Sequence, residues 1–413
     1  MKKNLLFLAM AAVALASCSN DETTEVNQGE AISFRPLVNG MTRGATDAGL
    51  MTAFAADNEI NVWADYDDDG DNETAVKKFF YDTYTFATSP SNSFSSTNKH
   101  YWPADVSATK DIAFYATYGG VTQTAGGVFA GFTPNSAVAS QVDLLVAKTI
   151  RTSGAEGGAV VLNFRHALSQ IAVKVKNTNP NLKFTVKEVR IGCISTAATA
   201  FSLAFDNSAT NSDTQQENAS GSLTSGANLI SSSSWTITTA GITANGNKYD
   251  QDPSDLTFEG TTDVTGGGSI ANAETTFGSS WILLPQSMKS FTTDNNDANS
   301  NKEYVTSQNG SATGDPDLSG SYIALKLTID NWNGTAATGN IATDQWCYWP
   351  IDGLGSWTPG LKYTYTINMA GGGYYPQDKN SDYKLDQILN EIVISPSCTI
   401  DVWNAQSDAA VGM

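Results

Sequence analysis

The sequence predicts an all-β protein, and three observations carry the prediction. Apolar residues alternate with polar ones along many short segments, which is the two-residue period of a half-buried strand. Charged residues make up 16% of the 413 positions, below the roughly 25% of an average soluble protein. Long neutral stretches of Ser, Thr, Asn and Gly separate the alternating segments. This composition is typical of an extracellular β-protein and not of a helical bundle.

The alternation predicts the strands in order along the chain. It is clearest at 60–66, 171–175 and 322–329, where every second residue is apolar. Weaker alternation or short apolar runs predict the remaining strands, which are 31–34, 79–86, 112–118, 142–147, 159–164, 183–191, 281–285, 361–369, 392–394 and 398–403.

One segment has helical spacing instead. Leu385, Ile388, Leu389 and Ile392 recur at the period of an amphipathic helix, which predicts a short helix within residues 381–393.

The strands group into two predicted domains with long polar loops. Short strands joined by polar turns favour antiparallel β-sandwiches. A Gly-containing interruption at 153–158 divides the pattern, so we predict an N-terminal sandwich at 44–157 and a C-terminal one at 158–404. The segments 205–234 and 290–320 contain few apolar residues and are predicted surface loops.

The charge balance excludes one class of partner. The chain has 23 Lys and Arg against 42 Asp and Glu, a net charge of −19. A face that binds nucleic acid or anionic lipid needs clustered Lys and Arg. Nucleic acid is therefore not expected as a partner.

The N-terminus has the features of an export signal. Lys2 and Lys3 precede an apolar stretch at 5–15, too short to span a bilayer, so residues 1–17 are a predicted signal peptide. Small residues directly before Cys18 resemble the lipobox of bacterial lipoproteins. The resemblance implies cleavage between Ser17 and Cys18, acylation of Cys18 and anchoring in the outer membrane, while an ordinary secretory signal is the alternative. The acidic stretch 19–22 resembles a signal for the outer face of that membrane.

Catalytic motifs are absent from the sequence. The chain has only 2 His, no nucleophile-elbow serine and no phosphate-binding glycine loop. His166 is interpreted as a structural histidine. Cys193, Cys347 and Cys398 lack the spacing of a metal or redox site, and a bridge between the last two is left open. We therefore predict no enzyme activity and no cofactor.

An acidic run at 65–73 is the strongest ligand-like signal. Asp65, Asp67 and Asp69, followed by Gly70, match the opening of a calcium loop, in which several oxygens converge. The match then fails, because Val76 stands where such a loop places its bidentate Glu. A solvated acidic turn is the favoured interpretation, and a weak calcium site through the three Asp residues is the alternative.

Several motifs together resemble the fimbrillin family, the type V pilins of Bacteroides-like bacteria. The most specific is FRHALSQIAVKV at 164–175. The others are ISF at 32–34, MTRGAT at 41–46, YWP at 101–103, IAFYA at 112–116, LLPQ at 283–286, WTPGLKYTYTI at 357–367 and CTIDVW at 398–403.

The resemblance implies two transthyretin-like sandwiches in a non-enzymatic fimbrial subunit, in the stalk or at the tip. Members are exported as lipoproteins, an arginine-specific protease removes the first strand, and a strand from another pilin subunit fills the groove. Arg43–Gly44 is the predicted scissile bond, because the proline after Arg35 normally blocks such cleavage. The lipid-anchored leader is then 18–43. The donor strand is predicted at 405–413 or within 391–403.

Two other functions remain open at this stage. A surface glycan-binding lipoprotein would share the lipobox and the sandwiches, would stay membrane-anchored and would carry coplanar exposed aromatic residues. A surface glycosidase would need a pair of carboxylates, and no pair stands out. A host or bacterial surface receptor is a further expected partner, and the expected location is the cell surface, first as an outer-membrane lipoprotein and then in the fimbria.

Overall fold

The computed structural model describes most of the chain between residues 31 and 402. The described residues are 31–38, 54–68, 77–89, 92–106, 110–151, 159–203, 234–237, 242, 247–252, 255–260, 280–290, 320–351, 353, 355–371, 374–376, 385–387 and 397–402.

The all-β prediction is confirmed, since strands dominate the described residues and no α-helix occurs among them. Short 3-10 turns lie at Val138–Ser140 and Met369–Gly371. The strands are β1 (Phe34–Val38), β2 (Glu59–Tyr66), β3 (Lys77–Ala87), β4 (Ser93–Ser95), β5 (Ile112–Tyr118), β6 (Gln123–Ala125), β7 (Val128–Phe132), β8 (Leu145–Arg151), β9 (Val160–His166), β10 (Ser169–Lys176), β11 (Leu182–Gly192), β12 (Ala198–Ser202), β13 (Trp235–Thr236), β14 (Lys248–Gln251), β15 (Leu256–Glu259), β16 (Trp281–Leu283), β17 (Tyr322–Trp332), β18 (Ala337–Pro350), β19 (Leu361–Asn368), β20 (Tyr374–Pro376), β21 (Leu385–Gln387) and β22 (Ser397–Val402).

Seven strands form a first sheet that closes on itself in the order β1-β4-β3-β2-β5-β8-β9, called here the barrel. Its strands pair antiparallel, except that β1 runs parallel to β9. Because successive side chains point to opposite faces of a strand, every second residue enters the barrel. The interior is an apolar cluster that includes Phe34, Phe94 and Phe114.

The barrel continues past residue 157, the predicted domain boundary. Its last strand, β9, pairs with both β8 and β1. Only Ala167 and Leu168 separate β9 from β10, and both are fully buried. The chain therefore leaves the barrel through a short buried connection.

Two further sheets face each other across a second core. The short C-terminal sheet has the order β16-β10-β19-β22, and the long C-terminal sheet has the order β14-β11-β17-β18-β20-β21, with β15 also on β11. The strands β10 and β19 are parallel, and the other pairings of these sheets are antiparallel. One cluster contains Val173 and Tyr365 from the short C-terminal sheet and Phe184, Leu325 and Trp349 from the long one, so these two sheets form a sandwich.

A small sheet, β13-β12-β7-β6, covers the outside of the barrel. A third apolar cluster joins Tyr115 of the barrel, Phe129 and Phe201 of this small sheet, and Ile282 and Leu284 beside the sandwich. The rings of Phe129 and Phe201 stack with centroids 4.4 Å apart. Barrel and sandwich thus share buried apolar surface.

The helix predicted within 381–393 is wrong where the structure describes it. Residues 385–387 form β21, which pairs with β20 and satisfies its backbone groups there. The rest of that segment, most of the two predicted loops and the domain boundary at residue 44 lie outside the described residues.

Candidate functional site

The strand β1 is the first described strand, and it joins the two edges of the barrel. It pairs with β9 from Phe34↔Val160 to Val38↔Phe164. Just before the strand, the carbonyl oxygen of Ser33 accepts a hydrogen bond of 2.8 Å from the backbone N–H of Val160. One side of β1 is therefore a regular parallel ladder.

The other side of β1 is held by residues 92–101. Phe34 pairs with Phe94 of β4. The backbone N–H of Ile32 donates to the carbonyl oxygen of His100 at 2.7 Å, and Ala31 forms a bridge with Tyr101. The strand thus lies in a slot between β9 and this segment.

Two side chains at the start of β1 and just before it, Phe34 and Ile32, belong to the apolar cluster inside the barrel. Ile32 is 4% exposed and Phe34 is fully buried. The ring of Phe34 meets Tyr84 edge-on at 4.8 Å between centroids and Phe114 at 5.2 Å. Arg35, by contrast, is exposed. The alternation of the sequence therefore places part of the barrel core on and just before the first described strand.

The Tyr84 hydroxyl is a buried polar group beside β1. Tyr84 is fully buried, and its hydroxyl finds no hydrogen-bond partner among the described residues. Burial, aided by the charge of Asp82, raises the pKa of Tyr84 above its usual value. A buried hydroxyl without a partner destabilises the folded state by about 1–3 kcal/mol.

Two of the three calcium candidates are largely buried in the barrel wall. Asp65 is 8% exposed and accepts the indole N–H of Trp63 at 2.6 Å. Asp67 is 6% exposed, and its backbone N–H donates to the carbonyl oxygen of Asp111. No cluster of three metal-ligating side chains occurs among the described residues, and Asp69 lies outside them. The calcium site stays a prediction.

The environment of these carboxylates shifts two pKa values. Burial raises the pKa of Asp65, although the bond from Trp63 and the charge of Lys78 oppose the shift. Burial and the charge of Asp67 raise the pKa of Asp111. Both side chains are therefore less acidic than a solvated Asp.

The histidines and cysteines have structural surroundings. His166 is buried, and its Nδ1 lies 2.7 Å from Oδ2 of Asp143, which agrees with its structural interpretation. Cys193, Cys347 and Cys398 form no disulfide bond within the described residues. Among the residues described, no helix is long and apolar enough to span a membrane.

A family model described as fimbrillin-like matches residues 42–403. The chain belongs to the fimbrillin-like family. This confirms the resemblance carried by the sequence motifs. Family membership supports a fimbrial subunit at the cell surface that assembles with other pilin subunits and has a structural, non-enzymatic role.

Solved structures similar to this fimbrillin-like chain come from Bacteroides and Parabacteroides species. A candidate cell adhesion protein from Bacteroides uniformis is 15% identical, with 90% of this chain and 98% of that chain covered and a TM-score of 0.41. A fimbrial assembly protein from Parabacteroides distasonis is 9% identical, with coverages of 86% and 99% and a TM-score of 0.35. No curated protein matches the chain.

The predicted processing residues of the fimbrillin-like chain lie outside the described residues. These are Ser17, Cys18, Arg43 and Gly44. The strand β1 ends at Val38, so the predicted scissile bond follows the strand closely in sequence. Acylation and cleavage therefore remain predictions.

Proposed function

We propose that this fimbrillin-like chain is a stalk or tip subunit of a type V fimbria with an adhesive role. It is exported as an outer-membrane lipoprotein acylated at Cys18. An arginine-specific protease cuts after Arg43, which releases residues 18–43, and the subunit polymerises by strand exchange. The mature chain then begins at Gly44, the first residue of the predicted N-terminal domain.

The position of β1 is the observation that carries this proposal. The strand supplies the fully buried Phe34 to the barrel, yet it precedes Arg43. It also lies outside the family match, which begins at residue 42. A cut after Arg43 would therefore separate a core strand from the rest of the barrel, close to the residue at which the family match begins.

Loss of β1 would leave an empty slot that can bind a strand from another subunit. Five residue pairs with β9 and the bond to His100 would lose their partners, and the places of Ile32 and Phe34 would be empty. Unpaired strand edges invite strand addition. Refilling two apolar places contributes about 3–6 kcal/mol, at about 1.5–3 kcal/mol for each side chain.

The donor is proposed at the C-terminus, in 405–413. The competing segment, 391–403, contains β22, which pairs with β19 at six positions. Donation from that segment would break this ladder, whereas donation from 405–413 leaves it in place. Among the described strands, β22 is the last in the order of the short C-terminal sheet, and its Ile400 is 53% exposed.

The glycan-binding alternative receives no comparable support from the described aromatic residues. Trp63 and Tyr81 are neighbours on the barrel, but their rings are inclined by 45° and do not form a flat platform. The Lys78 amine lies 4.3 Å from the centre of the Trp63 ring and covers it. A sugar stacking on Trp63 would have to displace this amine.

The test is the intact mass and N-terminal sequence of the protein sheared from cells. We expect chains that begin at Gly44 and migrate as heat-resistant ladders. Arg43→Ala should retain the leader and abolish the ladders, because the slot stays filled. Arg35→Ala is the matched control, since this exposed arginine precedes a proline and should not be cut. Cys18→Ala should remove the acyl mass from the uncut form.

Chains that stay acylated at Cys18, monomeric and indifferent to Arg43→Ala would contradict the proposal. The membrane-anchored glycan-binding function would then be examined with purified polysaccharides.

A further inference from the structure

We infer that residues 96–101 form a clasp, anchored by Asp82, that holds β1 in its slot and sets how fast the strand leaves once the chain is cut. The inference rests on the proposed function, because it concerns the strand whose removal that function requires. It adds a retention step between cleavage and strand exchange.

Asp82 binds the clasp through both carboxylate oxygens. Its Oδ2 accepts the Ser96 hydroxyl at 2.6 Å and lies 3.1 Å from Nε2 of His100. Its Oδ1 accepts the Asn98 amide at 3.2 Å and the backbone N–H of Thr83 at 2.8 Å. One side chain on β3 therefore fixes three positions of the loop.

A second contact orients the same loop. The His100 ring stacks on the Phe80 ring with centroids 4.0 Å apart and planes inclined by only 9°. The hydroxyl of Ser96 also accepts the backbone N–H of Asn98 at 3.1 Å, which closes a tight turn within the loop. Phe80 thus contacts the face of the His100 ring, and Asp82 contacts its Nε2.

This arrangement points the backbone of His100 at the residues just before β1. The His100 carbonyl oxygen accepts the N–H of Ile32, and the following residue, Tyr101, bridges to Ala31. The Asp82 side chain touches none of β1 itself in these contacts. It acts as a positioning residue, through the loop.

The electrostatics agree with a tightly bound Asp82. Burial acts to raise the pKa of Asp82, but bonds from Ser96, His100, Thr83 and Asn98 outweigh it and hold the pKa below its usual value. Hydrogen bonds to an ionised carboxylate are stronger than neutral ones.

A clasp has a physical use for a strand that is cut free. After cleavage, β1 is held only by non-covalent contacts, and its departure exposes an apolar groove and an unpaired edge. Such an edge pairs with any available strand, including wrong ones. Slow release keeps the groove covered until a donor strand is present.

The experiment measures release without relying on Arg43. In the full chain, residues 40–46 are replaced by the recognition sequence of an unrelated protease, and the cut chain is passed over a sizing column at intervals. Mass spectrometry gives the fraction that retains the N-terminal peptide. We expect Asp82→Asn to speed release about tenfold, as loss of one charge-assisted bond predicts.

The matched control is Asp105→Asn. Asp105 also lies on the barrel and accepts the Tyr66 hydroxyl at 2.6 Å and the Lys110 amine at 2.9 Å, but it has no part in the clasp. Its release rate should equal that of the parent chain. His100→Gln keeps an amide nitrogen near Asp82 and removes the stacked ring, so it should also speed release.

Hydrogen exchange on the uncut chain gives an independent readout. Asp82→Asn should lower the protection of the Ile32 amide and leave β2 and β5 unchanged. Equal release rates for the parent, Asp82→Asn and Asp105→Asn chains, or unchanged protection of Ile32, would overturn the clasp. If Arg43 proves uncut in cells while Asp82→Asn still speeds release, the proposed function fails and the clasp stands.

Discussion

Phe34 meets Tyr84 edge-on in the centre of the barrel, with 4.8 Å between ring centroids and an angle of 85° between ring planes. One ring belongs to the strand proposed to leave and the other to a strand that stays. Edge-on aromatic pairs contribute about 0.5–1.5 kcal/mol beyond their buried area. The contact therefore links the stability of the uncut chain to the leader.

Phe34→Ala should destabilise the uncut chain strongly. Truncating a fully buried Phe removes its apolar area and leaves a cavity, which costs about 3–5 kcal/mol. Denaturant unfolding followed by Trp fluorescence measures the loss. Arg35→Ala, on the exposed neighbour, should change the free energy of unfolding by no more than about 0.5 kcal/mol. Equal effects of the two changes would show that β1 does not belong to the barrel core.

Tyr84→Phe should stabilise the uncut chain. The change removes a buried hydroxyl that has no partner among the described residues and keeps the ring against Phe34. The expected gain is about 1 kcal/mol, at the lower end of the cost of an unsatisfied group. Tyr365→Phe is the control in the other direction, because the Tyr365 hydroxyl accepts the Trp357 indole N–H at 2.8 Å. Thermal unfolding should show a higher midpoint for the first variant and a lower one for the second.

Asp111→Asn should stabilise the chain at neutral pH and not in acid. Burial and the charge of Asp67 raise the pKa of Asp111 in the folded chain above its ordinary 3.8, with Lys148 opposing the shift. A carboxyl whose pKa is raised by folding costs stability once the pH exceeds that folded pKa, and the cost disappears below 3.8. The midpoint difference between variant and parent should therefore be positive at pH 7 and vanish as the pH falls below 3.8. A difference independent of pH would contradict this.

Sequence reasoning predicted a strand at 31–34, which overlaps β1 only at Phe34, and it could not identify the neighbours of that strand. The alternation of Ile32 and Phe34 predicts a strand, but its parallel pairing with β9 joins residues far apart along the chain. Asp82 carries no motif, since its partners come from a loop that only the fold brings beside it. The acidic run, by contrast, is visible in the sequence, yet Asp65 and Asp67 are mostly buried in the structure, which the pattern did not predict.

Two errors in the C-terminal half have physical reasons. The helical spacing from Leu385 was misleading because pairing with β20 decides the structure at 385–387. The long strand β18 was missed because residues 337–345 are largely exposed and lack apolar alternation. Pairing with β17, itself strongly alternating, holds that polar segment extended.

The contact between barrel and sandwich gives the last prediction. Gln141, which follows the 3-10 turn between β7 and β8, accepts the backbone N–H of Ile282 at 2.7 Å. Its amide donates to the carbonyl oxygen of Asn135 at 3.0 Å, and the side chain is buried. Gln141→Leu keeps the apolar volume but leaves a buried N–H on β16 without its partner. The expected loss is about 1–3 kcal/mol in the free energy of unfolding.

The matched control is Gln345→Leu, because the Gln345 side chain is exposed and bonds only the nearby carbonyl of Thr343 among the described residues. Hydrogen exchange locates the effect. If Gln141 couples the two parts, Gln141→Leu should lower amide protection at Ile282 and in β10 beside it, while the distant β2–β3 ladder keeps its protection. If amide protection falls evenly over the whole chain, the variant lowers global stability and does not act specifically on the contact between barrel and sandwich.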